Sequence, residues 1–137
     1  MLRPEMSPAD FEQRQVGHLP GQYGLRVTEL AEGRVCGEFE VLPWMWAPNG
    51  FLHAASVIAL ADTCAGYATI CHLPQGAKNF TTVELKANFL GTAKEGLLRA
   101  ECVADHLGRT TQVWSAVVFA ATGRKIALFR CTQMILW

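Results

Sequence analysis

Two hydrophobic periods divide this chain. Phe51–Leu73 reads FLHAASVIALADTCAGYATICHL. It is apolar or small at nearly every position, too long for one strand, and is closed by Pro74-Gln75-Gly76. It therefore predicts one long helix. Elsewhere the pattern shortens to period two. Tyr23–Leu30 and Arg34–Val41 alternate around Glu32-Gly33 and predict a hairpin. Four more extended segments follow the helix: Phe80–Leu90, Leu97–Asp105, Thr110–Ala120 and Lys125–Leu136. In the first of these, Val83, Leu85, Ala87 and Phe89 are expected on one face, with Thr82, Glu84, Lys86 and Asn88 on the other. The last two are apolar on both faces over much of their length, as central strands would be. Ser7-Pro8-Ala9-Asp10 reads as a helix start. A short helix is expected to run to about His18 and to be broken by Leu19-Pro20-Gly21. Leu42–Gly50 carries two prolines, two tryptophans and Asn-Gly, so an irregular loop is expected there.

The order is short helix, two strands, one long helix, four strands. That is an α+β architecture, a largely antiparallel sheet of about six strands around a single long helix. One helix cannot cover both faces of such a sheet, so a second copy of the chain is expected against part of it.

Composition narrows the classes. With 137 residues and half of them hydrophobic, one compact domain spanning residues 1–137 is expected. Twelve basic and twelve acidic residues, without a basic stripe, argue against a nucleic-acid partner. The five cysteines are scattered and form no CxxC, as reduced thiols of a cytoplasmic protein would be. The N-terminal segment is polar and lacks the apolar stretch of a secretory leader. The long helix could span a bilayer by length, but Asp62 at its centre and its many small residues argue against a membrane location.

Asp62 is the one charged residue between Pro48 and Gln75. An uncompensated carboxylate in apolar surroundings costs several kcal/mol, on the order of a whole domain's stability margin. Its stripe at helical spacing is Ala55, Ile58, Ala59, Ala65, Gly66 and Thr69, mostly small, so another backbone or a ligand can come close. The opposite side carries Val57, Leu60, Cys64, Tyr67 and Cys71 and is expected to pack on the sheet. At the helix start, Ala54 and Ala55 leave the first-turn N–H groups unobstructed, a place where a developing oxyanion could be held. His53 and Asp62 are nine residues apart, roughly 13 Å along the axis. One helix cannot bring both to one reacting atom; two antiparallel copies can.

Taken together, Asn49, His53-Ala54-Ala55, Leu60-Ala61-Asp62-Thr63 and Thr81–Leu90 resemble the hotdog-fold acyl-CoA thioesterases. The similarity is to the phenylacetate-degradation and 4-hydroxybenzoyl-CoA thioesterase type, and covers the chain from about Tyr23 onward. The resemblance implies a homodimer, often paired into a homotetramer. It also implies an acyl-CoA substrate, with no metal and no cofactor beyond the coenzyme A of that substrate. It assigns Asp62 as general base or nucleophile and the Ala54 N–H as polariser of the thioester carbonyl. His53 falls beside the thioester, Asn49 orients water or substrate, and Thr82 holds the attacking water. Two positions depart from the pattern. His53-Ala54-Ala55 stands where relatives usually read His-Gly-Gly. Ala47 stands six residues before His53, where relatives often have Asn. A hotdog hydratase acting on enoyl or hydroxyacyl thioesters, or a non-catalytic acyl-CoA-binding module, are the competing functions. Trp44 and Trp46 could line an acyl pocket, but core or interface packing is expected of them. Arg109, Lys125, Lys86 and Arg124 are candidate cations for coenzyme A phosphates. No G-x-S-x-G, P-loop, GxGxxG or metal-ligand spacing occurs.

Overall fold

The computed structural model describes Met1–Trp137. Its elements are α1 (Pro8–Arg14), α2 (Leu19–Gln22), β1 (Arg26–Ala31), β2 (Arg34–Glu40), α3 (Ala54–Cys71), β3 (Asn79–Phe89), β4 (Leu97–Leu107), β5 (Thr111–Phe119) and β6 (Lys125–Leu136). The six strands form one sheet in the order β1-β2-β4-β5-β6-β3, antiparallel throughout. α3 lies across its inner face, and the expected hotdog arrangement is borne out.

Close approach of α3 to the sheet explains why its buried face is so small-featured. Ala61, Cys64, Ala65, Ala68 and Cys71 are all buried beside Val57 and Leu60. On β2 the facing residue is Gly37. A Cβ there would sit 2.7 Å from the Cys64 sulfur and 3.2 Å from the Arg26 carbonyl oxygen, so the contact admits no side chain. Tyr67, expected on the sheet-packing side, instead lies under α1. Its ring stacks on Phe11 with centroids 4.3 Å apart. Burying Phe11 contributes about 2–3 kcal/mol, which pins α1 to the domain. The start of α1 is as read: Ser7 and Asp10 form a reciprocal capping box with Pro8 in the first turn.

Other expectations need correction. Leu19-Pro20-Gly21 does not simply break a helix. It forms α2, because Pro20 falls in the first turn, where its missing N–H costs nothing. Trp44 and Trp46 are not core residues. Trp44 is 56% exposed and packs at a tilt of 50° against Tyr23, and the Trp46 indole N–H donates to the Lys94 carbonyl at 3.0 Å. β5 and β6 are interior strands, as expected, but their outer face is not covered within one chain: Leu128, Met134 and Leu136 are exposed.

β3 departs most from its reading. It is an edge strand, and its pairing with β6 slips between Thr82 and Glu84, leaving Val83 in a bulge. Thr82 therefore pairs with the buried Gln133, while Glu84 pairs with Thr132, whose hydroxyl bonds the Glu84 carboxylate. Residues directly opposite share a face. Thr82 accordingly joins the helix side with Phe80, Leu85 and Ala87, and parts from Glu84, Lys86 and Asn88.

By length and composition α3 could cross a membrane, but half of its apolar window is buried inside the domain. It is the core helix.

Candidate active site

The start of α3 is fastened on several sides. The His53 N–H donates to Met45 O at 3.0 Å, and Leu52 N–H donates to Ala93 O at 3.1 Å. The buried Ser56 hydroxyl donates to the same Met45 carbonyl at 3.0 Å and lies 3.1 Å from the Tyr23 hydroxyl. Tyr23 and Ser56 were not singled out from sequence, because each is an unremarkable polar residue until the fold joins them.

With that anchor set, the first-turn amides can be accounted for. Ala55 N–H donates to Nδ1 of His53 at 2.9 Å, so the histidine caps its own helix. Ser56 and Val57 donate to the His53 carbonyl. The Ala54 N–H makes no hydrogen bond within the chain. It is thus the free donor at the positive end of an 18-residue helix. Because His53 Nδ1 accepts, the proton of the neutral ring sits on Nε2, which is left as a second donor. No residue other than glycine has positive φ. The His53-Ala54-Ala55 sequence therefore meets no backbone barrier, and Ala54 and Ala55 lie in ordinary helix.

Asn49 is committed locally. Its Oδ1 accepts from Phe51 N–H at 3.2 Å across Gly50, whose φ is +84°, and this closes the turn before the helix. Lys94, absent from the sequence-based candidates, lies here too, its ammonium 4.6 Å from the Phe51 ring centroid.

Asp62 lies two turns down α3. It is half-buried, and its Oδ1 is buried without a hydrogen-bond partner. Desolvation pushes its carboxyl pKa above the ordinary carboxylate value. Gly66, one turn further on, lies against Phe80 of β3, where a Cβ would be 3.4 Å from the ring. On the sheet beneath is Cys131, whose thiol is pushed up to about 12 by burial first and then by the charge of Asp62. Asp62 thus faces the β3–β6 side of the sheet, the side to which the bulge turns Thr82.

Two groups result. Asn49, His53 and Ala54 lie at the helix start; Asp62, on the side of the sheet where Thr82 falls, is about 12 Å along the axis. Within one chain they do not meet. Two surface clefts, of about 630 and 440 Å³, lie elsewhere. The first adjoins the end of α3 and includes Arg109. The second, on the outer face of the sheet, includes Lys86 and Arg130. Neither is lined by Asp62 or Ala54. No group of three or more His, Cys, Asp or Glu side chains is arranged to hold a metal.

Residues 49–127 match the thioesterase superfamily. The chain is 32% identical over 128 residues to the proofreading thioesterase EntH of Klebsiella pneumoniae, covering 93% of this chain and 90% of that protein. It is 28% identical over 109 residues to a 1,4-dihydroxy-2-naphthoyl-CoA hydrolase of Listeria monocytogenes, covering 80% and 88%. Its fold superposes on a mutant of thioesterase PA1618 from Pseudomonas aeruginosa with a TM-score of 0.93. Sequence identity there is 23%, and coverage is 98% of this chain and 97% of that one. The chain belongs to the thioesterase superfamily and is a hotdog-fold thioester hydrolase.

Proposed function

We propose that this protein hydrolyses an acyl-CoA thioester at a site shared between two antiparallel copies of α3. The observation that carries the reading is the pairing of a free helix-start donor, Ala54 N–H, with an unpartnered carboxylate, Asp62. The two are separated by a distance that one helix cannot close. In the dimer, Ala54 of one copy and Asp62 of the other flank the same carbonyl. The Ala54 amide and helix dipole stabilise the tetrahedral oxyanion, and His53 Nε2–H adds a second donor. Asp62 takes a proton from water as general base, and Thr82 steadies that water. Asn49 shapes the loop that leads to the thioester. A raised Asp62 pKa favours proton transfer over direct attack, because it brings the base closer to working pH.

Substrate class follows from the relatives. The Listeria protein is named for a naphthoyl-CoA substrate, which supports a coenzyme A thioester here. The exposed Trp44, Trp46 and Phe51 beside the helix start favour an aromatic acyl group, and Lys94, over the Phe51 ring, is a cation placed to meet a phosphate. Assembly as a homodimer, and further pairing into a homotetramer, is supported by the open inner face of β3 and the exposed apolar outer sheet. Five free, buried thiols support a reducing, cytoplasmic setting.

The test is thiol release from a panel of short, medium, long and aryl acyl-CoAs. Turnover is expected with at least one of these. Asp62→Asn should lower kcat about 10²- to 10⁴-fold, the usual range for loss of a general base. Absence of turnover across the panel would sink the hydrolase reading. Wild-type rates in Asp62→Asn would remove Asp62 from the mechanism.

A further inference from the structure

Gln133 sits on the inner face of β6 with no exposed surface, and its Oε1 has no hydrogen-bond partner. Its Nε2 makes only a weak contact with the Cys131 sulfur at 3.4 Å. A buried carboxamide oxygen without a donor is costly and rare. The other buried side-chain oxygen in this condition is Asp62 Oδ1.

The sheet register places the two together. Phe80, which lies against Gly66, pairs with Ile135; Leu85 pairs with Cys131, which senses the Asp62 charge. Gln133 is the inner-face residue between Ile135 and Cys131, directly across from Thr82. Asp62 is one turn before Gly66, about 6 Å along α3. It therefore lies over the Thr82–Gln133 row. Cys131 is the titratable side chain facing Asp62 from β6. Glu84 and Lys86 of β3 lie on the opposite face of the sheet.

We propose that Gln133 is a positioning residue of the hydrolytic site, its Oε1 and Asp62 Oδ1 together holding the attacking water. This rests on the acyl-CoA hydrolase reading. One water O–H donates to Asp62 and the other to Gln133, while the Thr82 hydroxyl donates to the water oxygen. The remaining lone pair points at the thioester carbonyl. As the oxygen bonds to that carbon, its proton passes to Asp62. Collapse of the tetrahedral intermediate breaks the C–S bond, and the proton moves from Asp62 to the departing sulfur. Acid and free thiol are the products, and Asp62 is restored.

The neighbouring Gln112 is the control. It is equally buried, but its Nε2 donates to His72 O at 2.8 Å and its Oε1 accepts from Trp114 Nε1 at 3.0 Å. The experiment compares steady-state kinetics and melting temperature of wild type, Gln133→Met, Gln133→Glu and Gln112→Met on the best substrate of the acyl-CoA panel. Gln133→Met should lower kcat about 30- to 100-fold, the effect of a misplaced reactant, with KM within about twofold and melting temperature unchanged or higher. Gln112→Met should do the reverse, melting earlier with kcat within about twofold. Gln133→Glu places a second carboxylate beside Asp62. It should move the acid limb of the kcat–pH profile upward by about one pH unit or more. A wild-type kcat in Gln133→Met, or an acid limb unmoved in Gln133→Glu, overturns the proposal while leaving the hydrolase reading intact. No turnover by wild type overturns both.

Discussion

Asp62 carries its consequences for stability as well as for chemistry. Its pKa is raised by desolvation alone, with no cation or donor beside it to offset that cost. The folded chain therefore binds a proton more tightly than the unfolded chain. Between the ordinary carboxylate value of 3.8 and the raised folded value, stability falls as pH rises. Asp62→Asn should accordingly melt at a higher temperature than wild type at neutral pH. The gap should close as pH falls from the raised folded value to the ordinary carboxylate value of 3.8, as thermal unfolding of both proteins across pH 3–8 would show (roughly the span of the carboxylate and histidine titrations). A variant that is less active yet more stable is what a residue retained for function produces. The oddity of Asp62 was legible in the sequence because no other charge occurs in that run. Gln133 was legible in principle: along β6 the inner positions read Ala127, Phe129, Cys131, Gln133 and Ile135, with one polar member. Alternation alone does not reveal whether such a residue finds partners. Gln112, on the next strand, finds two and Gln133 almost none.

Among the elements, β3 and β1 are the two edges of the sheet and are built differently. β1 is only six residues long and is flanked by the ion pairs Arg26–Glu38 and Arg34–Glu29, whereas a bulge is common to both edges. Shortness and charge of this kind guard an edge against pairing. β3 is eleven residues long, with Val83 55% exposed and Leu85 and Phe89 also exposed. That is an edge built to be covered. Leu85→Lys should therefore convert the proposed dimer to monomer at micromolar concentration, read by sedimentation, and abolish turnover while leaving the fold intact by circular dichroism. Persistence of both dimer and activity would place the interface elsewhere. The sequence predicted every strand and the long helix, since their periods are sustained over many residues. It did not reveal the bulge at Val83. Thr81 to Phe89 alternates as cleanly as an unbulged strand would, and the slip is set by the partner β6. Nor could alternation identify β3 as an edge, because a two-fold pattern reports faces and not neighbours. The α2 turn was missed for a simpler reason: Leu19-Pro20-Gly21 has the composition of a break, and only its position after His18 makes it a first turn.

For the molecule as a whole, one histidine ties helix to sheet. The His72 Nδ1–H donates to Ala68 O at 2.7 Å, and its Nε2 accepts from Gly33 N–H at 2.9 Å. Its ring packs against Trp114. Both nitrogens are satisfied only in the neutral ring. Burial lowers its pKa below the ordinary 6.5, against a smaller opposing effect of the Ala68 bond. Below 6.5 the unfolded chain takes up the proton first, so stability is full above that value and is lost as pH falls through the folded value. His72→Phe should melt earlier than wild type at pH 7.5 (about one unit above the ordinary histidine range), and should lack the decline expected of wild type on mild acidification. An unchanged slope in the variant would assign that decline to other groups. The five cysteines carry a practical consequence. All are free and inaccessible, with burial pushing Cys36 to about 11 and Cys64, Cys71 and Cys131 to about 12. Almost no thiolate is exposed at assay pH to reduce an aromatic disulfide dye. The colour such a dye develops over the native enzyme therefore counts thiol leaving the thioester substrate, and a sudden burst of five equivalents reports the enzyme coming apart.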